Sequence, residues 1–516
     1  MDILDMVKRT DKRYRITFFS SLIVGILSQG MGLFNKFSIH DDVCSLFKIG
    51  YTVTSGRWAL QLLGDLERKV YGGYGHYSMP LFNGALTILF IAIASVFIVR
   101  LLDIESDLAC IFIGGLMVAF PTVTCAFDYM FTAHYYFFAM MCSVFGAVLI
   151  CSGDKLWKAA VGVILIAFSM GVYQGFLPTS ITLMLCYVIR MITEEKSLSS
   201  ILKRILRIAA GCVLAVLLYY ALTQLSLIIT HTQLSGYEGI SSMGKGSLSE
   251  FASRIKMAYH EFFRPTRGSR DMMYPYHLYH LYMGTTVCLA AIYMATVVKL
   301  FRRRGSLAAL YTVSGIAFPL AVNFIFVMVS APKYSLMVYS QTFPFIALIW
   351  QIDRLSGKKN EKTVKRRKQK VIGILAFLYC MLVLAMYIRY DNACYLKTAV
   401  VQEEAKSYLT TLVTRIKSVP GYKDEYPVTF VNTGKNRDKT ITKIEEFDDL
   451  NLAGSRRLRT TVKDYASRSF INTWCGFSPK WADARLFHDL PEVQEMTHYP
   501  DDGSIKVVNQ TVVVKF

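Results

Sequence analysis

Long apolar stretches separated by short polar or charged ones fill the first 389 residues of the chain. A helix needs about 20 apolar residues to cross the hydrocarbon core of a bilayer. Eleven stretches reach or approach that length, at roughly 16–34, 79–99, 108–121, 132–151, 159–173, 176–191, 208–230, 284–301, 307–330, 335–352 and 371–389. The fifth and sixth are short and meet at Tyr173-Gln174-Gly175, which reads either as a tight helical hairpin or as one broken re-entrant pair. Beyond residue 390 the pattern changes to that of a water-soluble unit, with a helix predicted near 397–417, a strand at Pro427 to Val431 and a closing pair of strands around Asn509-Gln510. The expected fold is an all-α polytopic membrane domain over 1–389, with about eleven spans and long loops at 35–78 and 231–283. A C-terminal α+β domain over 390–516 follows it.

Composition agrees. The chain is 53% hydrophobic and 18% charged, with a mean hydropathy of +0.36, against about 25% charged residues in soluble domains. A soluble globule cannot bury that much apolar surface. The net charge of +20 suggests nucleic acid until its position is considered. Residues 390–516 hold 18 Lys and Arg against 17 Asp and Glu, whereas the preceding part holds 39 against 20, mostly in short runs between apolar stretches. That is the pattern of cytoplasmic loops, and nucleic-acid binding is set aside. With the basic N-terminus inside, Arg190 to Arg207, Arg302-Arg303-Arg304 and the Lys358 to Lys370 cluster also fall inside, giving 26 basic residues there against 12 in the opposite loops. An odd number of spans then places the C-terminal domain outside the cell. The first apolar stretch is too long for the core of a cleavable signal and lacks a small-residue cleavage site after it. The 11 cysteines lie mostly within apolar segments without CxxC spacing and read as small core residues; Cys394 and Cys475 are a conceivable external disulfide.

Chemistry is sought in the external segments. His40-Asp41-Asp42 follows the first span, and two adjacent carboxylates at a membrane boundary are costly to keep ionised without water, a cation or a reacting hydroxyl. One of them suits a general base, and Asp41 or Asp42 reads equally as the N-cap of a short helix. Gly56-Arg57-Trp58 follows in the same loop, opening an amphipathic helix suited to the membrane surface; the Arg57 fork fits a phosphate and Trp58 a sugar or prenyl unit, or both are interfacial anchors. Asp128 and His134 flank Phe127-Tyr129-Met130-Phe131 at the outer end of the fourth span, as a second acid with an acceptor-orienting group or as helix caps. Tyr173-Gln174 offers an aromatic and an amide to sugar hydroxyls, or a polar contact between helices. Loop 231–283 gathers Arg264, Arg267 and Arg270 with Tyr274, Tyr276, His277, Tyr279 and His280, while Lys333 and Tyr334 face the same side. The two histidines lack a carboxylate or cysteine at ligand spacing, and no metal site is expected. Walker A, dinucleotide-binding, HExxH and GxSxG motifs are absent in usable contexts.

Taken in order, the basic N-terminus, Asp41-Asp42, Gly56-Arg57-Trp58, Phe120-Pro121 with Asp128-Tyr129-Met130, Tyr173-Gln174 and the ending Tyr499-Pro500-Asp501-Asp502-Gly503-Ser504-Ile505 with Val512-Val513-Val514-Lys515 resemble the Gtr type II glucosyltransferases. These are serotype-converting, O-antigen-modifying membrane enzymes. The resemblance implies a GT-C-type glycosyltransferase of the bacterial plasma membrane, with its active site outside. It implies a polyprenyl-phosphate hexose donor, a polysaccharide or lipid-linked glycan acceptor and inversion at the anomeric carbon; the residues themselves call for no cofactor or metal, although some relatives of the superfamily use a metal. Asp41 or Asp42 takes the role of base, with Asp128 as a further acid. Arg57, then Arg267 and Lys333, hold the donor phosphate. His40, Trp58, His134, Tyr173 and Gln174 contact sugar or acceptor. The rival readings are a lipid-linked-sugar flippase, which predicts intramembrane charge and inverted repeats, a structural assembly factor, and a surface-polysaccharide polymerase.

Overall fold

The computed structural model describes residues 10–50, 52–72, 76–153, 155–236, 243–265, 273–275, 277–329, 334–356, 363–432, 444–447, 450, 462 and 464–516. Among them, nine helices are long and apolar enough to cross a membrane. Helices occupy all eleven apolar stretches. The remaining two, Leu156–Val172 and Phe343–Ser356, are shorter than a full span.

The first helix, α1 (Lys12–Phe34), shows why this bundle is read as membrane-embedded. Its buried face is small and polar, with Thr17, Ser20, Ser21, Gly25, Ser28 and Gln29, while Phe19, Ile23, Ile26 and Leu27 point outward. In water that arrangement would be inside out. In lipid, small residues let helix backbones approach and hydroxyls bond across them. Ser21 Oγ donates to the carbonyl of Gly114 at 2.9 Å and Ser20 Oγ to that of Ile111 at 2.6 Å, joining α1 to α2 (Asp107–Ala119). The sequence reading ends this span near 121; instead Phe120 is extended before Pro121, and a second buried helix continues to Phe127. Proline removes an amide donor and bars its predecessor from helical geometry, which accounts for the break.

The Tyr173-Gln174-Gly175 junction is a hairpin. Leu156–Val172 and Leu177–Thr193 meet there through a short 3₁₀ turn, and their far ends return to the same basic end of the bundle. At that end Arg190 pairs with Asp103 at 3.1 Å and Glu194 at 2.7 Å, Arg13 reaches Asp103 at 3.3 Å, and Arg303 reaches Glu195 at 3.4 Å. Buried Asp353 accepts from the amides of Glu105 and Ser106 at 2.9 and 3.0 Å, where they lead into α2. Arg13, Arg190 and Arg303 therefore gather at one end, and loop 35–78 and the chain's C-terminal part lie at the other; residues 358–362 of the predicted basic cluster lie outside the described residues.

The helix predicted at 397–417 has no separate start. One helix, α3 (Thr363–Lys417), runs for 55 residues, about 80 Å at 1.5 Å per residue, against a hydrocarbon core of about 30 Å. It therefore projects beyond the bundle. Its outer part packs on a three-stranded sheet of β1 (Val428–Val431), β2 (Ile505–Val508) and β3 (Thr511–Lys515), ordered β1-β3-β2, with β1 parallel and β2 antiparallel to β3. Asn509 and Gln510 turn β2 into β3 with φ of 48° and 57°, the left-handed pair that a two-residue hairpin requires. Leu409, Leu412, Phe430, Val512 and Phe516 share this core with Phe470 of α4 (Asp464–Trp474), and Val43 and Leu46 of the first loop are buried in it too. Trp474, Trp481 and Tyr499 pack against or within it. Cys394 and Cys475 form no disulfide, and Cys475 lies beside Thr410 Oγ1 at 3.8 Å.

A side chain at Gly114 would press on the Thr17 carbonyl and the Ser20 and Ser21 hydroxyls, whereas Gly30 has nothing within 4 Å. Gly114→Val is expected to cost about 1–3 kcal/mol through overpacking, read as a lower melting midpoint of the detergent-solubilised protein. Gly30→Ala should melt no lower than the wild type.

Candidate functional site

Loop 35–78 builds two polar centres, and adjacent carboxylates fall into different surroundings. Asp41–Cys44 is one turn of helix, and successive helical residues point about 100° apart. Asp42 turns inward and its side chain is 1% exposed. Lys36 Nζ lies 2.6 Å from its Oδ2, Ser78 donates to Oδ1 at 2.5 Å, and Ser38 Oγ reaches Oδ2 at 3.3 Å. Burial pushes the Asp42 carboxyl up and the Lys36 ammonium down, and their mutual attraction opposes both shifts. Asp41 turns outward and stays 35% exposed. Tyr465 of α4 donates to Asp41 Oδ1 at 3.3 Å and lies 2.9 Å from His40 Nε2, while His40 Nδ1 sits 3.2 Å from the same carboxylate oxygen.

The second centre joins residues that are far apart in sequence. Gly56, at φ 67°, closes a 3₁₀ turn over Val53–Ser55. Gln174 Nε2 donates to the carbonyls of Ser55 and Gly56 at 3.1 and 3.3 Å and meets Tyr219 Oη at 2.8 Å. The Gln174 amide thus clasps the turn. Arg57 follows with its guanidinium 5.1 Å from the Tyr173 ring centre and 5.8 Å from that of Tyr136, and those two rings stack at 4.6 Å. Arg57 Nη1 donates to Tyr136 Oη at 3.0 Å. Trp58 opens α-helix Trp58–Val70, its indole against Gly171, where any side chain would collide with it. Its buried Nε1 has no hydrogen-bond partner among the described residues. Leu62, Leu66 and Val70 form an exposed apolar stripe on this helix, as expected of one lying at a membrane surface.

His134 joins neither centre. Its Nε2 lies 3.3 Å from Glu67 Oε2, which also accepts from Tyr135 Oη. His76 lies near the same carboxylate, and burial holds its pKa below the ordinary value while Glu67 opposes that shift. Asp128 is buried at the C-terminal end of the helix Pro121–Phe127, its amide donating to Cys125. Arg267 and Lys333 lie outside the described residues. Tyr274, one of the tyrosines gathered in loop 231–283, is buried with its ring tilted against that of Tyr282, centres 4.2 Å apart. Nearby, a groove of about 490 Å³ runs between Leu248–Phe263 and His277–Arg303, with Lys256, His260 and Arg264 beside apolar Phe263, Val287 and Ala290.

Lys36, Glu67, Tyr136 and Tyr465 were not singled out from sequence. A lysine six residues before an acid, or a tyrosine more than 400 residues away, gives no periodic signal. Chemically, the arrangement offers an accessible carboxylate, a cation seated on aromatic faces and a buried indole donor.

The family model described as Glucosyl transferase GtrII matches residues 30–349. No curated protein and no solved structure matches the chain.

The raised Asp42 carboxyl favours the fold only at acid pH, and that contribution is lost as pH rises through its folded-state value. The lowered Lys36 acts in the opposite sense, contributing only at alkaline pH and losing that as pH falls. Near neutrality the intact pair fixes geometry more than it stabilises. Lys36→Met, which strands the buried carboxylate, is expected to cost about 3–5 kcal/mol, measured by melting of the solubilised protein. Adding Asp42→Asn should restore at least half of that loss.

Proposed function

The chain belongs to the glucosyl transferase GtrII family, and from that premise we propose that it moves glucose or a related hexose from a polyprenyl-phosphate donor to a cell-surface glycan at the outer face of a bacterial plasma membrane. The body is a GT-C-type helical bundle, the basic end of which faces the cytoplasm. The observation that carries the reading is the division of labour between adjacent acids. Asp42 is sequestered by Lys36, Ser78 and Ser38, whereas Asp41 stays accessible beside His40 and Tyr465.

Asp41 is the base. The acceptor hydroxyl oxygen forms a bond to the anomeric carbon as the carbon–oxygen bond to phosphate breaks. The bonding pair leaves with the polyprenyl phosphate, and the hydroxyl proton passes to Asp41. Attack opposite the leaving group inverts the anomeric centre. Arg57, held on Tyr136 and Tyr173, supplies the cation for the phosphate. The unmatched Trp58 N–H suits an oxygen of the bound sugar or phosphate, because buried donors are rarely left unpaired. The groove beside Leu248–Phe263 is apolar along Phe263, Val287 and Ala290, which suits the prenyl chain of the donor.

In membranes supplied with labelled polyprenyl-phosphate hexose and glycan acceptor, Asp41→Asn is expected to lower transfer at least about 100-fold, the loss typical of a removed general base, with folded yield unchanged. Asp42→Asn should chiefly change melting behaviour. Transfer at the wild-type rate in Asp41→Asn overturns the assignment of the base. Passage of labelled lipid across the membrane without any transfer overturns the enzyme reading in favour of a flippase.

A further inference from the structure

The family match ends at residue 349, yet the chain beyond it returns to the accessible carboxylate. Helix α3 carries Gln402, whose Oε1 accepts from the Ser38 amide at 2.6 Å and whose Nε2 donates to the Lys36 carbonyl at 3.2 Å. This two-way amide contact fixes the strand of loop that leads to His40. Val43 and Leu46, just past the acids, are buried in the C-terminal core. Between these anchors His40 adopts φ 50° and ψ −122°, a strained conformation for a side chain of its size. The loop holds it because it is fixed on both sides.

Tyr465, on the first turn of α4, then meets that residue. Its ring packs edge-on against the His40 imidazole, with centres 5.9 Å apart at 80°. Its hydroxyl bonds Asp41 Oδ1 at 3.3 Å and lies 2.9 Å from His40 Nε2, so one oxygen bridges the imidazole and the carboxylate. Cys44 Sγ donates to the Tyr465 carbonyl at 3.5 Å, a further contact between the loop and this turn.

We propose that the C-terminal domain completes the transfer site, with the Tyr465 hydroxyl orienting the Asp41 carboxylate toward the acceptor. This rests on Asp41 being the base. Tyr465 is a positioning residue: it acts through Asp41 and His40, and the acceptor reaches the site with the C-terminal domain already seated on the loop. A carboxylate on a four-residue helix has free torsions about its own side chain, and a hydrogen bond from a phenol that is half exposed but held edge-on against His40 limits that freedom before the acceptor arrives.

The test is made on the full-length protein in membranes, with labelled polyprenyl-phosphate hexose and glycan acceptor. Tyr465→Phe keeps the ring on His40 and removes only the hydroxyl. It is expected to lower kcat about tenfold, the loss of one oriented hydrogen bond in the transition state, with KM for the lipid donor unchanged. Arg485→Ala, an exposed change elsewhere in the same domain, should leave both constants unchanged. A merely structural role would lower folded yield or melting temperature while kcat per folded molecule stayed at the wild-type value, and that result overturns the proposal. Full kcat in Tyr465→Phe alongside an inactive Asp41→Asn overturns the positioning role and leaves the base assignment intact. Full activity in Asp41→Asn overturns both.

Discussion

A carboxylate at the edge of a hydrocarbon slab must be matched by a cation, a proton or water, and loop 35–78 meets that constraint in two ways at neighbouring residues. Asp42 is withdrawn onto Lys36 and Ser78 and becomes a tether for the loop. Asp41 remains at the surface, within reach of solvent, of the Tyr465 hydroxyl and of the His40 ring. The tether sets the direction of its neighbour. With Asp42 fixed inward, one turn of helix leaves Asp41 facing outward, and the rest of the proposed site is arranged around that choice.

The same loop belongs to two cores. Its later half is clasped by Gln174 and Tyr219 and lays Trp58 on Gly171, within the membrane bundle. Its earlier half inserts Val43 and Leu46 among residues of α3, α4 and the sheet. Helix α3 makes this possible by running without a break through positions 389 and 390, where composition alone suggests a boundary. A rigid rod of that length holds the outer domain at a defined place over the bundle. A short flexible linker would not keep a phenol within hydrogen-bond distance of a loop carboxylate.

Much of this was legible in the sequence. Apolar length located all nine helices that are long enough to cross a membrane among the described residues, although two of the eleven predicted spans are shorter, and the basic runs grouped Arg190 and Arg303 at one end, since charge cannot rest in hydrocarbon. Residues on one side could be named as one set: Arg57, Trp58, Tyr173 and Gln174 do meet. Their roles were harder to read. Gln174 spends its amide on backbone carbonyls, which follows from the exact height at which one turn emerges beside another. The break at Phe120 was foreshadowed by Pro121 but hidden by the unbroken hydropathy around it. The difference between Asp41 and Asp42 depends on which way a four-residue helix is rotated, and the approach of Tyr465 depends on the packing of a distant domain. Neither leaves a periodic trace.

The most direct measurement is a structure of the protein with an unreactive polyprenyl-phosphate hexose analogue and a glycan acceptor bound. The account predicts the phosphate against the Arg57 guanidinium and the acceptor hydroxyl about 3 Å from the Asp41 carboxylate, within reach for proton transfer. A phosphate bound at the opposite, basic end of the bundle, or an acceptor hydroxyl seated on another acid with Asp41 out of reach, would contradict it.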